Sequence, residues 1–176
     1  MRNVVLFIAM SLDGYIADCN GGVNWLTGQD ENTENIDTYS TFVKEVDTVI
    51  MGWNTYQQIA TELSPTEWVY SDLISYVITH KEIPSKEKIV FTHKPPYVLV
   101  EKLKQECGKD IWICGGSNII QQLMKKDLID IYYISVIPTI LGNGIRLFET
   151  MEKEIKLQLM KTQTYNGITE LIYKRR

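Results

Sequence analysis

The sequence predicts an α/β fold of three layers, α/β/α. A mostly parallel central sheet lies between helices and closes with an antiparallel C-terminal hairpin. Three observations carry this expectation. Short apolar runs recur and end in polar or glycine residues, as buried strands do. Most are followed by segments with apolar residues at helical spacing, the alternation that builds β-α-β units. The last two strand-like segments are joined by Asn166-Gly167, a pair suited to a tight hairpin turn.

The elements follow in chain order. Val4 to Met10 is the first strand, an apolar run far short of the roughly 20 residues that cross a bilayer. Only Arg2 precedes it as a basic residue, and no small-residue cleavage site comes before Asp13, so it reads as a strand and not as a signal peptide. Residues 12 to 30 contain Gly14, Gly21, Gly22 and Gly28 and form loops around Asn24-Trp25. Ile36, Tyr39, Ser40, Val43 and Val46 mark a first helix, and Asp47 to Met51 a second strand that ends at Gly52. Trp53, Tyr56, Ala60 and Leu63 mark the next helix. Ser75 to Thr79 and Lys88 to Phe91 are strands. Pro95-Pro96 opens a helix in which Leu99, Leu103 and Cys107 share a face. Asp110 to Cys114 is a strand running into Gly115-Gly116, followed by a helix with Ile119, Ile120, Leu123 and Met124. Ile131 to Ile137 is a strand stopped by Pro138, and the tail strands lie near 155–164 and 168–174.

Size and composition narrow the function. A chain of 176 residues suits one domain, expected to span 1–176. With 44% apolar and 23% charged residues, wholesale disorder is excluded. A net charge of −4 gives no electrostatic support for nucleic acid or an anionic membrane, and neither is expected as a partner. Cys19, Cys107 and Cys114 form no CxxC pair, and only His80 and His93 join them, so no metal site is expected. Free thiols fit a reducing cytoplasm.

In a parallel sheet, ligands bind beyond the carboxyl ends of the strands. The candidates are therefore Ser11-Leu12-Asp13-Gly14, Gly52-Trp53-Asn54-Thr55, Thr79-His80-Lys81 and Cys114-Gly115-Gly116-Ser117-Asn118. Glycines there let a backbone approach a ligand, and the following helix start offers N–H groups and a positive dipole end to a pyrophosphate. Either glycine turn alone reads equally as a tight turn or an N-capped helix; two on one sheet suggest a dinucleotide across both. Thr79, His80 and Lys81 offer a hydroxyl and a cation to an adenine ribose or its 2′-phosphate, although a lone lysine is ordinarily a solvated one. Trp25 either covers a cofactor ring or anchors its loop. Asp30, Glu31, Glu34 and Asp37 lie at and just inside a helix start, where acids stabilise the dipole. Asp37, at the edge of the apolar stripe, could instead face a pocket and relay a proton.

Taken together, Asn24-Trp25, Val49 to Tyr56 and Ile113 to Ser117 resemble the dihydrofolate-reductase-like superfamily in order and spacing. The nearest likeness is to the reductase domain of bacterial riboflavin biosynthesis, the RibD C-terminal domain, and its stand-alone relatives. Ser11 to Ala17, Trp25 to Gly28 and Val136 to Phe148 resemble signatures of that group. The resemblance implies NADPH as cofactor, held by Ala9, Gly52, Trp53, Asn54, Thr55, Thr79, His80, Lys81, Cys114, Gly115, Gly116, Ser117 and Asn118. It implies a nicotinamide directed toward Ala9, Met10 and Trp25. A heterocyclic substrate would lie near Asn24, Trp25 and Asp37, with Asp37 the candidate catalytic acid. A homodimer is implied on the same ground.

Several positions depart from the pattern. Trp53, and Ser117 with Asn118, stand where dihydrofolate reductases carry basic residues. Ile134 stands near a threonine that those enzymes bond to the catalytic acid. Cys114 replaces a glutamate common in the riboflavin enzymes. Residues 30–46 lack the arginines that grip a ribose phosphate and hold only Lys44. A substrate without a phosphate anchor is expected. The reading is an NADPH-dependent reductase acting on a C=N bond of a pterin- or pyrimidine-type heterocycle, similar to 5-amino-6-(5-phosphoribosylamino)uracil reductase. A dihydrofolate reductase is the alternative within that class. A nucleotide-binding module without catalysis is the alternative outside it; NADPH oxidation with a heterocyclic acceptor separates the two.

Overall fold

The computed structural model describes residues 1–33 and 36–176. Its main sheet has eight strands in the order β5-β4-β3-β6-β1-β7-β10-β9. These are β1 (Val4–Ser11), β3 (Val46–Gly52), β4 (Ile74–Ile78), β5 (Ile89–Thr92), β6 (Asp110–Gly115), β7 (Ile131–Ile137), β9 (Leu157–Tyr165) and β10 (Ile168–Arg175). The strands from β5 to β7 run parallel, whereas β10 pairs antiparallel with both β7 and β9. The hairpin turns at Asn166 (φ 45°) and Gly167 (φ 74°), two successive left-handed residues that match the right-handed twist of a hairpin.

Alternation in β1 shows why its run is continuously apolar. Val4 and Leu6 pack under α3 (Pro96–Lys104) and α4 (Ser117–Lys125), with Ile113, Leu99 and Ile120. Val5 and Phe7 face the other layer, with Trp112, Met51, Phe42 of α1 (Tyr39–Phe42) and Ile59 beyond α2 (Trp53–Gln58). Both faces are covered, so both parities must be apolar. Proline at the first turn of α3 costs no hydrogen bond, because that N–H has no intrahelical partner.

Four expectations change. The first helix is only Tyr39–Phe42 with a 3₁₀ turn at Val43–Glu45, and Val46 opens β3. Val46 fits the helical spacing, but it is 2% exposed in the sheet, and that burial decides its state. The helix from Trp53 continues after Gln58 as a π-helix, Ile59–Leu63. α3 ends at Lys104, which leaves Cys107 exposed instead of on its apolar face. Two short strands, β2 (Tyr15–Ala17) and β8 (Ile145–Arg146), pair antiparallel beside the main sheet and are too short to leave a periodic signal.

Ile120 is fully buried where α4 meets the sheet. Ile120→Ala is expected to lower unfolding free energy by about 2–5 kcal/mol, read as a lower urea midpoint with an unchanged slope.

Candidate active site

The two glycine turns meet because β3 and β6 are adjacent and parallel, with a register shift after Ile50 that sets Met51 opposite Gly115. A Cβ built on Gly52 would lie 3.4 Å from Ile119 Cδ1 and 3.8 Å from the Gly116 nitrogen. One on Gly116 would lie 3.5 Å from Thr55 Oγ1, and one on Gly115 3.8 Å from the same atom. Gly115 has φ +136°, a conformation L side chains rarely adopt. The result is a cradle of bare backbone between two helix starts. Gly52 caps the helix at Trp53, and Gly116 caps the one at Ser117. The first N–H groups of such helices have no intrahelical acceptor and carry the positive end of the dipole.

The exit of β4 joins this edge. Lys81 Nζ sits 4.3 Å from the centre of the Trp53 ring, a cation–π contact. Thr79 is buried and its Oγ1 accepts the Lys81 N–H at 3.1 Å. His80 and Asn54 are exposed. The structure thus brings Gly52, Trp53, Thr55, Lys81, Gly115 and Gly116 to one edge. Ser117 and Asn118 stand at the same helix start, but their side chains are engaged. Ser117 Oγ donates to the Arg146 carbonyl at 2.9 Å, and Asn118 Oδ1 accepts from Gln122 at 2.7 Å.

Asp13, part of the candidate motif Ser11 to Gly14, locks the adjoining strand exit. Asp13 accepts from Ser11 Oγ at 2.6 Å and from the Leu141 and Gly142 N–H groups at 3.1 and 2.7 Å. The Ser11 hydroxyl foremost, together with those amides, holds the Asp13 carboxyl below its usual pKa against an opposing desolvation. Leu12 N–H donates to the Thr139 carbonyl at 2.8 Å, and Leu147 N–H to the Gly14 carbonyl at 2.9 Å. The motif after β1 and the segment after β7 are therefore one structure. Nothing local to Asp13 encodes partners so far along the chain.

The expected substrate residues are less gathered. Trp25 anchors its loop, its indole N–H donating to the Gly22 carbonyl at 3.2 Å, and Asn24 is exposed. Gln58 ties that loop to α2 through the Gly21 carbonyl at 2.8 Å. Asp30 and Glu31 lie in exposed turns ahead of the helix and not inside it; Glu34 lies outside the described residues. Asp37 is exposed just before α1. Its Oδ1 accepts the Ser40 N–H at 2.9 Å, and hydrogen bonds from Ser40 keep its carboxyl below the usual pKa. An anion so held is a poor proton donor at neutral pH. Ala9 is half-buried on β1 opposite Ser135.

Two side chains on this sheet face change the sequence reading. Ile134 points into the opposite core, and its neighbour Ser135 occupies the face shared with Ala9. Ser135 Oγ donates at 3.4 Å to Glu170, a buried carboxylate on β10 that the sequence analysis did not identify. Cys114 also faces this side, 3.8 Å from Tyr70 OH. Burial pushes its thiol up to about 11, the Tyr70 contact pulling back only partly.

This sheet order and site define a dihydrofolate-reductase-like fold. Dihydrofolate reductase from Enterococcus faecalis, complexed with NADP(H), superposes with a TM-score of 0.69 at 15% identity over 99% of this chain and 96% of that one. More specifically, the RibD C-terminal domain model matches residues 2–169, and the chain belongs to that family. It is homologous to reductase domains. A Shewanella sp. PV-4 protein assigned to riboflavin biosynthesis gives a TM-score of 0.85 at 30% identity, over 100% of this chain and 99% of that one. The uncharacterized protein YwjB of Bacillus subtilis (strain 168) is 39% identical across 99% of this chain and 98% of its own length. The riboflavin biosynthesis protein RibD of Haemophilus influenzae is 22% identical over 83% of this chain, which corresponds to 50% of that longer protein. No helix among the described residues is long and apolar enough to cross a membrane.

The thiols provide a check on this geometry. Cys19 and Cys107 are exposed. In native protein at pH 8, iodoacetamide should modify these two and leave Cys114 unmodified until the chain is denatured, as read by mass spectrometry. Rapid native alkylation of Cys114 would contradict its half-buried place against Tyr70 and its raised thiol pKa.

Proposed function

We propose that the chain is an NADPH-dependent reductase that transfers hydride to a C=N bond of a pterin- or pyrimidine-type heterocycle. The observation that carries this reading is the contact between the two glycine turns at one sheet edge. Gly52, Gly115 and Gly116 leave room for a pyrophosphate, and the N–H groups at the starts of α2 and α4 would bind it. Side chains added at these glycines would occupy that cradle, so the residues present fit the group. Lys81, held by Trp53, would meet a 2′-phosphate, with His80 and Asn54 exposed beside it; Ala9 would line the ring end. NADPH, when bound, supplies the hydride. The chain orients the two reactants and excludes water, while the substrate nitrogen gains a proton.

On the substrate side, residues 30–46 contain no arginine and several acids. A phosphate there would meet repulsion on the order of 1 kcal/mol or more per close pair. This favours a heterocycle that is neutral or cationic over one anchored by phosphate. Asp37 is assigned to this rim as an anion, and no proton donation is routed through it. Membership of the family supports the reductase class, and the curated relatives that share it at full length leave the substrate open.

Gly116→Val tests the reading. A Cβ at Gly116 meets only ordinary contact with Thr55, so the fold should persist. NADPH should bind the unaltered protein with a Kd at or below about 1 μM, near −8 kcal/mol. The variant should bind at least about tenfold more weakly, a loss of roughly 1.4 kcal/mol. Equal affinity in a folded variant would remove the glycine cradle from the mechanism. NADPH binding without oxidation across a panel of pterins and pyrimidines would instead indicate a nucleotide-binding module.

A further inference from the structure

The dinucleotide cradle makes no use of an open cavity of about 500 Å³ on the α1 face, which meets the substrate rim only at Asp37 and its neighbours. That volume lies within the range of small-molecule sites, roughly 300–1,000 Å³. Its floor is apolar, formed by Val5, Phe42, Ile131 and Ile172. One wall is polar and consists of Thr38, Tyr133 and Gln163. All three of these side chains donate hydrogen bonds to one group behind the wall, the carboxylate of Glu170.

Glu170 is 1% exposed. It accepts from Thr38 Oγ1, Tyr133 OH and Tyr165 OH, each at 2.8 Å, from Ser135 Oγ at 3.4 Å, and from Gln163 Nε2. Burial pushes its carboxyl up in pKa, but the bonds from Gln163, Tyr165, Thr38 and Tyr133 outweigh this and hold it below the usual value. Among the described residues, no cation lies within ion-pair distance of it. The site therefore carries a buried negative charge with hydrogen-bond donors but no counter-ion.

This charge fixes the polarity of the wall. Each hydroxyl has one hydrogen, and on Thr38 and Tyr133 that hydrogen is committed to Glu170. What remains for the cavity is lone pairs. Gln163 turns its NH₂ to the carboxylate and keeps its carbonyl oxygen as an acceptor. Asp37, Glu45 and Asp110 also line the cavity, with Lys161 as its single cation. An apolar floor, a wall of acceptors and an excess of negative charge together select against anions.

We propose that this cavity is a binding site for a flat aromatic cation bearing N–H donors, an amidinium or a protonated amino-heterocycle. The ring would rest on Val5, Phe42, Ile131 and Ile172, and the N–H groups would donate to Thr38, Tyr133 and Gln163. The site stands apart from the dinucleotide edge. Val46 and Asp110 are the first residues of β3 and β6, whose last residues are Gly52 and Gly115. At about 3.3 Å per residue, five or six residues separate the cavity floor from the glycines by about 17–20 Å. The nicotinamide end is assigned to Ala9, four residues along β1 from Val5, with its partner Ser135 four along β7 from Ile131, or about 13 Å at 3.3 Å per residue. Reacting atoms must approach to about 3–3.5 Å, so a ring on this floor is not the hydride acceptor. The inference shares Asp37 with the substrate rim proposed above but does not depend on the dinucleotide cradle.

The test uses benzamidine, a permanent flat cation, with neutral benzamide and anionic benzoate of nearly the same shape. Each is titrated into the full chain and followed by amide NMR shifts, with NADPH binding measured alongside. Benzamidine should shift Thr38, Tyr133 and Gln163, bind at least tenfold more tightly than benzamide, and leave NADPH affinity unchanged; benzoate should not bind. Glu170→Gln reverses the order of donors and acceptors behind the wall and should weaken benzamidine at least tenfold. Because Glu170 is buried, a second variant guards against misfolding. Thr41 lines the cavity with an exposed side chain and has no bond to Glu170, so Thr41→Trp should obstruct the site while the fold persists. Equal binding of benzamidine and benzoate, shifts confined to other residues, or full benzamidine affinity in Thr41→Trp would each overturn the proposal.

Discussion

The functional edge depends on the parallel pairing of β3 with β6. Gly52 and Gly115 end these two strands, and Met51 lies opposite Gly115. Because the strands run the same way, both chains leave the sheet at the same edge and both continue into helices. Antiparallel strands would have sent the two glycine turns to opposite ends. Helix dipoles, bare backbone and the Lys81–Trp53 contact all act together only because that register holds. The exits of β1 and β7 are tied by Asp13 at the same edge, which stiffens the rim beside the cradle.

A second constraint operates across the antiparallel part of the sheet. Glu170 on β10 bonds to Thr38 ahead of α1, to Tyr133 and Ser135 on β7, and to Gln163 and Tyr165 on β9. One carboxylate thus fastens the hairpin and the α1 approach to the body of the sheet. Removing one partner of such a network leaves other polar groups unsatisfied, which costs more than the single bond lost. Since its folded pKa lies below the ordinary value, this stabilisation is present near neutral pH. It is lost as pH falls through the folded pKa. The same charge sets the polarity of the cavity beside it.

Much of the fold was legible because parallel strands covered on both faces are mainly apolar at both parities. Val4–Ser11, Val46–Gly52, Asp110–Gly115 and Ile131–Ile137 announce themselves in that way. The helix before β3 was over-read, since Val46 satisfies a helical period while the sheet claims it. Ile134 and Ser135 turn to opposite cores, since in a strand one residue is the difference between the two faces. The glycine turns were legible as local strand-to-helix patterns. The roles of Asp13 and Glu170 were not, because their partners are supplied by segments distant in sequence. In the hairpin, Glu170 looks like an ordinary outward position until Thr38 closes over it.

The central claim is that the two glycine turns form a single dinucleotide cradle. Amide NMR during an NADPH titration of the unaltered protein tests it most directly. The account predicts the largest shifts at the backbone N–H groups of Trp53, Asn54, Gly116, Ser117 and Asn118, saturating together at one binding constant. Saturable binding with shifts confined to one turn, or to neither, would contradict it.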